Sequence, residues 1–79
     1  MNKYNIKIIV PILNKNYEIF VPNNILTGNL LYMFTESIND MNNKNIKNMS
    51  LYDSITGNKL NLEEYIFNTI NNGSILILA

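Results

Sequence analysis

The chain contains no cysteine and no histidine. Without thiols there are no disulfides and no thiolate nucleophiles. Without imidazoles there is no ready general base near neutral pH, and few ways remain to hold a transition metal. Small secreted domains are often stapled by disulfides, so the lack of Cys points to a reducing, cytoplasmic compartment. Arginine is missing as well: the basic residues are all Lys, six of them against six acidic residues, for a formal net charge of zero. Nucleic-acid binders display a basic face and favour Arg for bidentate contacts to phosphate or guanine, so no nucleic-acid partner is expected. Long apolar runs are also absent. The longest, Ile8 to Leu13, contains Pro11; it is too short for a membrane span or a signal-peptide core, and no direct membrane insertion is expected.

What remains suits a small folded unit. The 79 residues are 47% hydrophobic and 15% charged, which is too apolar and too evenly charged for a disordered chain. Residues 1–79 are expected to form a single domain, burying roughly 60–65% of the surface its unfolded form exposes. Its core is small and its stability correspondingly modest.

The first segment alternates, with Tyr4, Ile6, Ile8, Val10 and Ile12 pointing one way and Asn5, Lys7, Ile9 and Pro11 the other. Alternation resumes with Tyr17, Ile19 and Val21 on one face and Glu18, Phe20 and Pro22 on the other, so Asn14-Lys15 reads as the tip of a hairpin. Burying both apolar faces together requires even positions of the first strand to oppose odd positions of the second. With a two-residue tip the expected pairs are Ile12–Tyr17, Val10–Ile19 and Ile8–Val21 inside, and Ile9–Phe20 outside. After Pro22 the period changes: Leu30, Phe34, Ile38 and Met41, with Met33 beside them, make a helical stripe and predict a helix over residues 28–41. Thr27, or alternatively Asn24, is the expected N-cap.

Met49 to Asp53 reads as a short strand, Thr56-Gly57-Asn58 as a turn and Lys59 to Asn61 as a brief return. Asn61 followed by Glu64 has the spacing of a capping box, with Leu62, Tyr65 and Ile66 on one helical turn. After the Asn72-Gly73 turn, Ile75 to Leu78 is apolar at every position, the mark of a central strand lying beside and parallel to the first. The expected fold is α+β: a mixed four- to five-stranded sheet with one helix packed across one face.

That order of elements resembles the ubiquitin-like β-grasp domains over essentially the whole chain, from Tyr4 to Leu78. The most telling stretches are Lys59-Leu60-Asn61-Leu62-Glu63-Glu64-Tyr65 and Asn72-Gly73-Ser74-Ile75-Leu76-Ile77-Leu78. They look like the family's short hairpin, its buried Leu and Tyr on a helical turn, and its last strand. Between Tyr65 and Gly73 the chain runs a few residues longer than ubiquitin. Within the superfamily it is most similar to YukD/EsaB-type proteins, and the resemblance implies a cytosolic accessory component of the type VII (ESX/WXG100) secretion system of Gram-positive bacteria. The matched positions are packing positions, so they speak for a fold before an activity. A general β-grasp adaptor unrelated to secretion is the alternative. A modifier or sulfur carrier is a further one, but members that are conjugated end in a flexible Gly-Gly tail, whereas here Ala79 follows the last strand and Gly73 precedes it.

No catalytic, cofactor or metal site is expected. Glu63-Glu64 is the one adjacent acidic pair and is explained by capping, and Ser50, Ser54 and Ser74 have no His to activate them. The glycines have no phosphate-cradling spacing. The expected site is a protein-binding surface. If the helix covers the side carrying Ile8, Val10, Ile19 and Ile77, the opposite side displays Ile9, Phe20, Tyr52, Leu76 and Leu78, rimmed by Lys7, Glu18 and Asn5. Sheets wet on one side are normally polar there, and exposed apolar patches tend to mark partner surfaces. In ubiquitin-like domains this sheet face is a favoured docking surface, and Tyr52 and Leu78 look similar in place to its hydrophobic patch. A protein partner, such as secretion machinery, or a second copy through this face is expected, and Asp at Phe20 or Leu76 is expected to leave the fold intact.

Overall fold

A computed structural model describes residues 2–79. In chain order it comprises β1 (Lys3–Val10), a short 3-10 turn (Pro11–Leu13), β2 (Lys15–Pro22), α1 (Thr27–Asn42), β3 (Leu51–Asp53), α2 (Ile66–Thr69) and β4 (Ile75–Leu78). The four strands form one sheet in the order β2-β1-β4-β3, with β1 and β2 antiparallel, β1 and β4 parallel, and β3 and β4 antiparallel. The fully apolar strand thus lies inside the sheet, parallel to β1, as its composition requires.

The core forms where the alternating strands meet the helical stripe. Ile6, Ile8 and Val10 of β1, Val21 of β2, Leu30, Phe34 and Ile38 of α1, and Leu51, Leu60, Ile66, Ile70, Leu76 and Leu78 make one buried cluster. Phe34 meets the ring of Tyr17 edge-on, with centroids 5.6 Å apart, the geometry the ring quadrupoles favour.

The hairpin keeps the expected parity but not the expected pairs. Its register is Ile8↔Tyr17, Ile6↔Ile19, Tyr4↔Val21 and Asn5↔Phe20, not Ile12–Tyr17, Val10–Ile19, Ile8–Val21 and Ile9–Phe20. Pro11 is the cause. Lacking an N–H, it ends the ladder at Val10↔Lys15 and starts the 3-10 turn, which Asn14 closes in the left-handed region at φ 53° while its N–H donates to the Pro11 carbonyl at 2.9 Å. Ile12, expected inside, rides on this turn and is exposed. Parity survives because the displacement is even, so each side chain keeps its face.

Helix α1 spans the predicted segment, but its ends are held differently from expectation. Neither Thr27 nor Asn24 is the N-cap; that position is Leu26, which offers no side-chain cap. The first amides find backbone carbonyls from far along the chain instead. Thr27 N–H donates to Glu64 O at 2.8 Å and Gly28 N–H to Leu62 O at 2.9 Å. The Thr27 hydroxyl, fully buried, donates to the same Glu64 carbonyl at 2.8 Å and lies 3.1 Å from the Thr69 hydroxyl. Gly28 permits this approach, since a Cβ there would meet Leu62 O at 3.1 Å. At the other end Asn43 turns left-handed at φ 51°. Met41 does not join the buried stripe. Four residues past Ile38 comes Asn42, whose amide donates to the Tyr17 hydroxyl at 3.0 Å, and Met41 is turned out towards β2.

The capping box at Asn61 also fails. Asn61 Oδ1 accepts from Glu63 N–H at 3.0 Å, while the Glu64 carboxylate accepts from Asn68 Nδ2 at 3.2 Å. Helix α2 therefore begins later, at Ile66. The carbonyls of Leu62 and Glu64 serve α1 instead, tying two segments together through the Leu26↔Tyr65 bridge and the Ile66 N–H to Ile25 O bond of 2.9 Å. Among the described residues no helix is long and apolar enough to cross a membrane.

Candidate interaction face

The side of the sheet away from α1 is set by register. On β1 it carries Lys3, Asn5, Lys7 and Ile9; on β2, opposite them, Pro22, Phe20, Glu18 and Asn16. The parallel pairing of β1 with β4 places Lys7 opposite Ile75 and Ile9 opposite Ile77. Antiparallel pairing then sets Tyr52 beside Ile77, and the bridge from Tyr52 to Lys59 finishes the row.

This register corrects two of the expected site residues. Leu76 and Leu78 do not lie on the outer face: both have 0% exposure. Leu76 stands opposite Ile8 on β1, and Leu78 opposite Leu51 on β3, so both point under the helix with the core. Ile77, expected inside, lies on the outer row instead. A run apolar at every position gives no parity of its own, so the inward set is decided by contacts outside the strand. Gly73 makes the turn at φ 88°, its N–H donates to Asn5 O at 2.8 Å, and Ser74 O accepts from Lys7 N–H at 3.1 Å. These bonds lock the phase of β4 against β1. Ile75 and Ile77 are the outward residues that pattern reading missed; the signal available for them was the β1 phase combined with the length of the Asn72-Gly73 turn.

Of the remaining candidates, the structure brings Ile9 and Tyr52 together and leaves Phe20 apart. Ile9, Ile77 and Tyr52 form a continuous apolar row across three strands, with Asn16 at one end and Lys59 at the other. The next row is Glu18, Lys7 and Ile75, and Phe20 belongs to the row beyond it, beside Asn5. Two rows are roughly 13 Å along the strands. Phe20, 72% exposed, is therefore a separate point at the edge of the sheet, lining both a shallow depression shared with Asn2, Lys3, Asn5 and Asn72 and a groove between β2 and α1.

The charge on this face is uneven. Of the outward charges, Lys59 ends the apolar row, Lys7 lies one row away opposite Glu18, and Lys3 lies three rows away opposite Pro22. The surface is an apolar strip, half-buried among its neighbours, with Asn16 and Lys59 at its ends and Lys7 opposite Glu18 in the next row. Such a face can dock an apolar surface, with the Lys59 stem covering apolar area while its ammonium group stays wet.

No family model matches the chain, and no curated protein matches it. Solved structures do. The chain is similar to the ubiquitin-like domain of Arabidopsis thaliana protein At2g32350, with a TM-score of 0.70 and 21% identity over 100% of this chain and 78% of that one. It is also similar to the N-terminal ubiquitin-like domain in the 4931431F19Rik protein, with a TM-score of 0.68 and 18% identity over 99% of this chain and 74% of that one. The fold is therefore the ubiquitin-like β-grasp, with four strands in its mixed sheet.

Proposed function

We propose that this chain is a non-catalytic protein-interaction module of the cytoplasm that docks on a larger protein through the outer face of its sheet. The observation that carries this reading is the row Ile9–Ile77–Tyr52, apolar across three strands on the side the helix leaves uncovered. A sheet wet on one side has no structural need for such a row. Lys59 at the end of the row suits an apolar contact surface that carries a carboxylate at its rim.

The test is capture of partners from the native cell by the parent chain and by Tyr52→Ala and Ile9→Lys variants. Loss of the same captured protein in both variants, with melting temperatures within a few degrees of the parent, supports docking by this face. Undiminished capture refutes it.

A place in type VII secretion is the more specific form of the reading. Its support is the sequence resemblance to YukD/EsaB-type proteins together with an Asn-, Ile- and Lys-rich composition that suits a low-GC Gram-positive bacterium. On this form the captured protein is a component of the secretion apparatus. Capture of unrelated proteins favours a general adaptor.

A further inference from the structure

Asn72-Gly73 is the one Asn-Gly pair in the chain. It lies outside both the core and the outer apolar row, exposed at the turn that leads into β4. The Ser74 N–H closes this turn on the Asn71 carbonyl at 3.1 Å, and Gly73, third of the four residues, has φ 88°, which glycine takes without the penalty of a Cβ. Asparagine is a thermolabile residue, and a following glycine makes it more so. With no side chain on the next residue, that residue's backbone nitrogen can approach the carboxamide carbon and close a five-membered ring.

In the folded chain one residue of β1 holds both reacting groups. Asn72 Oδ1 accepts from the Asn5 N–H at 2.7 Å, and the Gly73 N–H donates to the Asn5 carbonyl at 2.8 Å. The next bond along, from Lys7 N–H to Ser74 O at 3.1 Å, begins the pairing of β1 with β4. Ring closure requires the Gly73 nitrogen to give up the proton it shares with Asn5 and to turn onto Asn72 Cγ, so both bonds to Asn5 must open first. Little else resists that opening. The turn is exposed, and apart from its closing bond it is held by the Asn71 N–H donating to Ser74 Oγ at 3.0 Å.

We propose that Asn72-Gly73 is a self-modification site that folding closes and unfolding opens, with water as its co-reactant. In the open chain the deprotonated Gly73 nitrogen attacks Asn72 Cγ. A C–N bond forms, and Nδ2 leaves as ammonia, taking up the proton that Gly73 lost. Water then adds to the cyclic imide at either of its carbonyls. Cleavage between Cγ and the ring nitrogen leaves an aspartyl residue; cleavage at the backbone carbonyl carbon leaves an isoaspartyl one. Water is consumed and ammonia released, with no oxidation or reduction. The products differ in what they present to Asn5. An aspartyl carboxylate still accepts from the Asn5 N–H. The isoaspartyl link carries the main chain through Cβ and Cγ and lengthens it by a carbon, so the bonds from Gly73 to Asn5 and from Lys7 to Ser74 are no longer in step. Those are the bonds that phase β4. A chain that stays unfolded is thereby altered chemically, and the isoaspartyl fraction loses the start of its parallel pairing.

The test incubates the full chain in mildly alkaline buffer, with and without urea, and follows the replacement of amide by carboxyl at Asn72 by peptide mass spectrometry. Modification should run at least about tenfold faster in urea, because the folded turn is open for only part of the time. Asn72→Gln, which would have to close a larger ring, should stay unmodified at that position in urea over the same period. Ser74→Ala removes one bond from the turn; it should raise the rate in buffer by about threefold to tenfold and leave the rate in urea as it was. The two products, separated by chromatography and returned to native buffer, should then differ. The aspartyl product and a directly made Asn72→Asp variant should keep the parent's hydrogen-exchange protection at Lys7 and Gly73, while the isoaspartyl product should lose it by at least about tenfold. The proposal is overturned if buffer and urea give equal rates, if modification falls mainly on other asparagines, or if the isoaspartyl product exchanges like the parent.

Discussion

On β4, Leu76 and Leu78 are completely buried, while Ile75, one peptide bond from Leu76, keeps 40% of its surface exposed. Both sides of the sheet carry aliphatic side chains at the level of Ile8 and Ile9, yet only one side is covered by α1. Composition does not separate the two sides. What separates them is phase: β1 alternates apolar with polar, and β4 takes its phase from β1 through the bonds at Asn5 and Lys7. Aliphatic content supplies material for a core, and alternation in one neighbouring strand decides which half of it is used.

The comparison breaks most visibly if a charge is moved to the inner side. Leu76→Asp puts a carboxyl group among the side chains of the apolar core, and its cost of about 4–5 kcal/mol reaches the lower end of the stability of a chain this size, roughly 4–12 kcal/mol. The variant should show no cooperative thermal transition by circular dichroism; a folded Leu76→Asp protein would mean that β4 is phased the other way. A smaller effect is expected at the buried hydroxyl that joins the start of α1 to the later segment. Thr27→Val preserves shape but removes the hydroxyl bond to Glu64 O and the contact with the Thr69 hydroxyl, which keeps its bond to the Ile66 carbonyl, so stability should fall by about 1 kcal/mol in denaturant titration. A cost near zero would show that the amide bond from Thr27 to Glu64 suffices alone. The smallest effect belongs to the outer side: Phe20→Asp should change stability by no more than about 0.5 kcal/mol. A large loss there would show Phe20 to be packed, and the contrast between the two sides would disappear.

Much of this was legible without coordinates, where local pattern and tertiary contact agree. The stripe of Leu30, Phe34 and Ile38 specified α1, because those side chains recur on one side of a helix and are the ones the sheet covers. The parity of the hairpin was legible because polar and apolar residues alternate in both strands. Its pairing was not, since one proline moved the turn and the whole register shifted with it. The cap of α1 was hidden for another reason. Its acceptors, the carbonyls of Leu62 and Glu64, are backbone atoms far along the chain, and no side-chain motif announces them. At the candidate site, Ile9, Tyr52 and Phe20 were placed correctly on the outer side because their strands alternate or pair with one that does, whereas Leu76 and Leu78 sit in a run whose two faces read alike.

The parallel pairing of Lys7 with Ile75 has a kinetic consequence. The strands flanking β1 arrive at very different times during synthesis. The hairpin and α1 leave the ribosome together, with Ile6 and Ile8 facing a half-built interior and the second edge of β1 still open. Only when β4 emerges does that edge find its complement, and only after Leu62 to Glu64 have emerged does α1 acquire the acceptors for its first amides. Pairing so distant in sequence is slow to form, because the entropy of closing the intervening loop must be lost before any contact rewards it. The nascent hairpin is therefore the stage at which this chain is most exposed to pairing with the wrong strand.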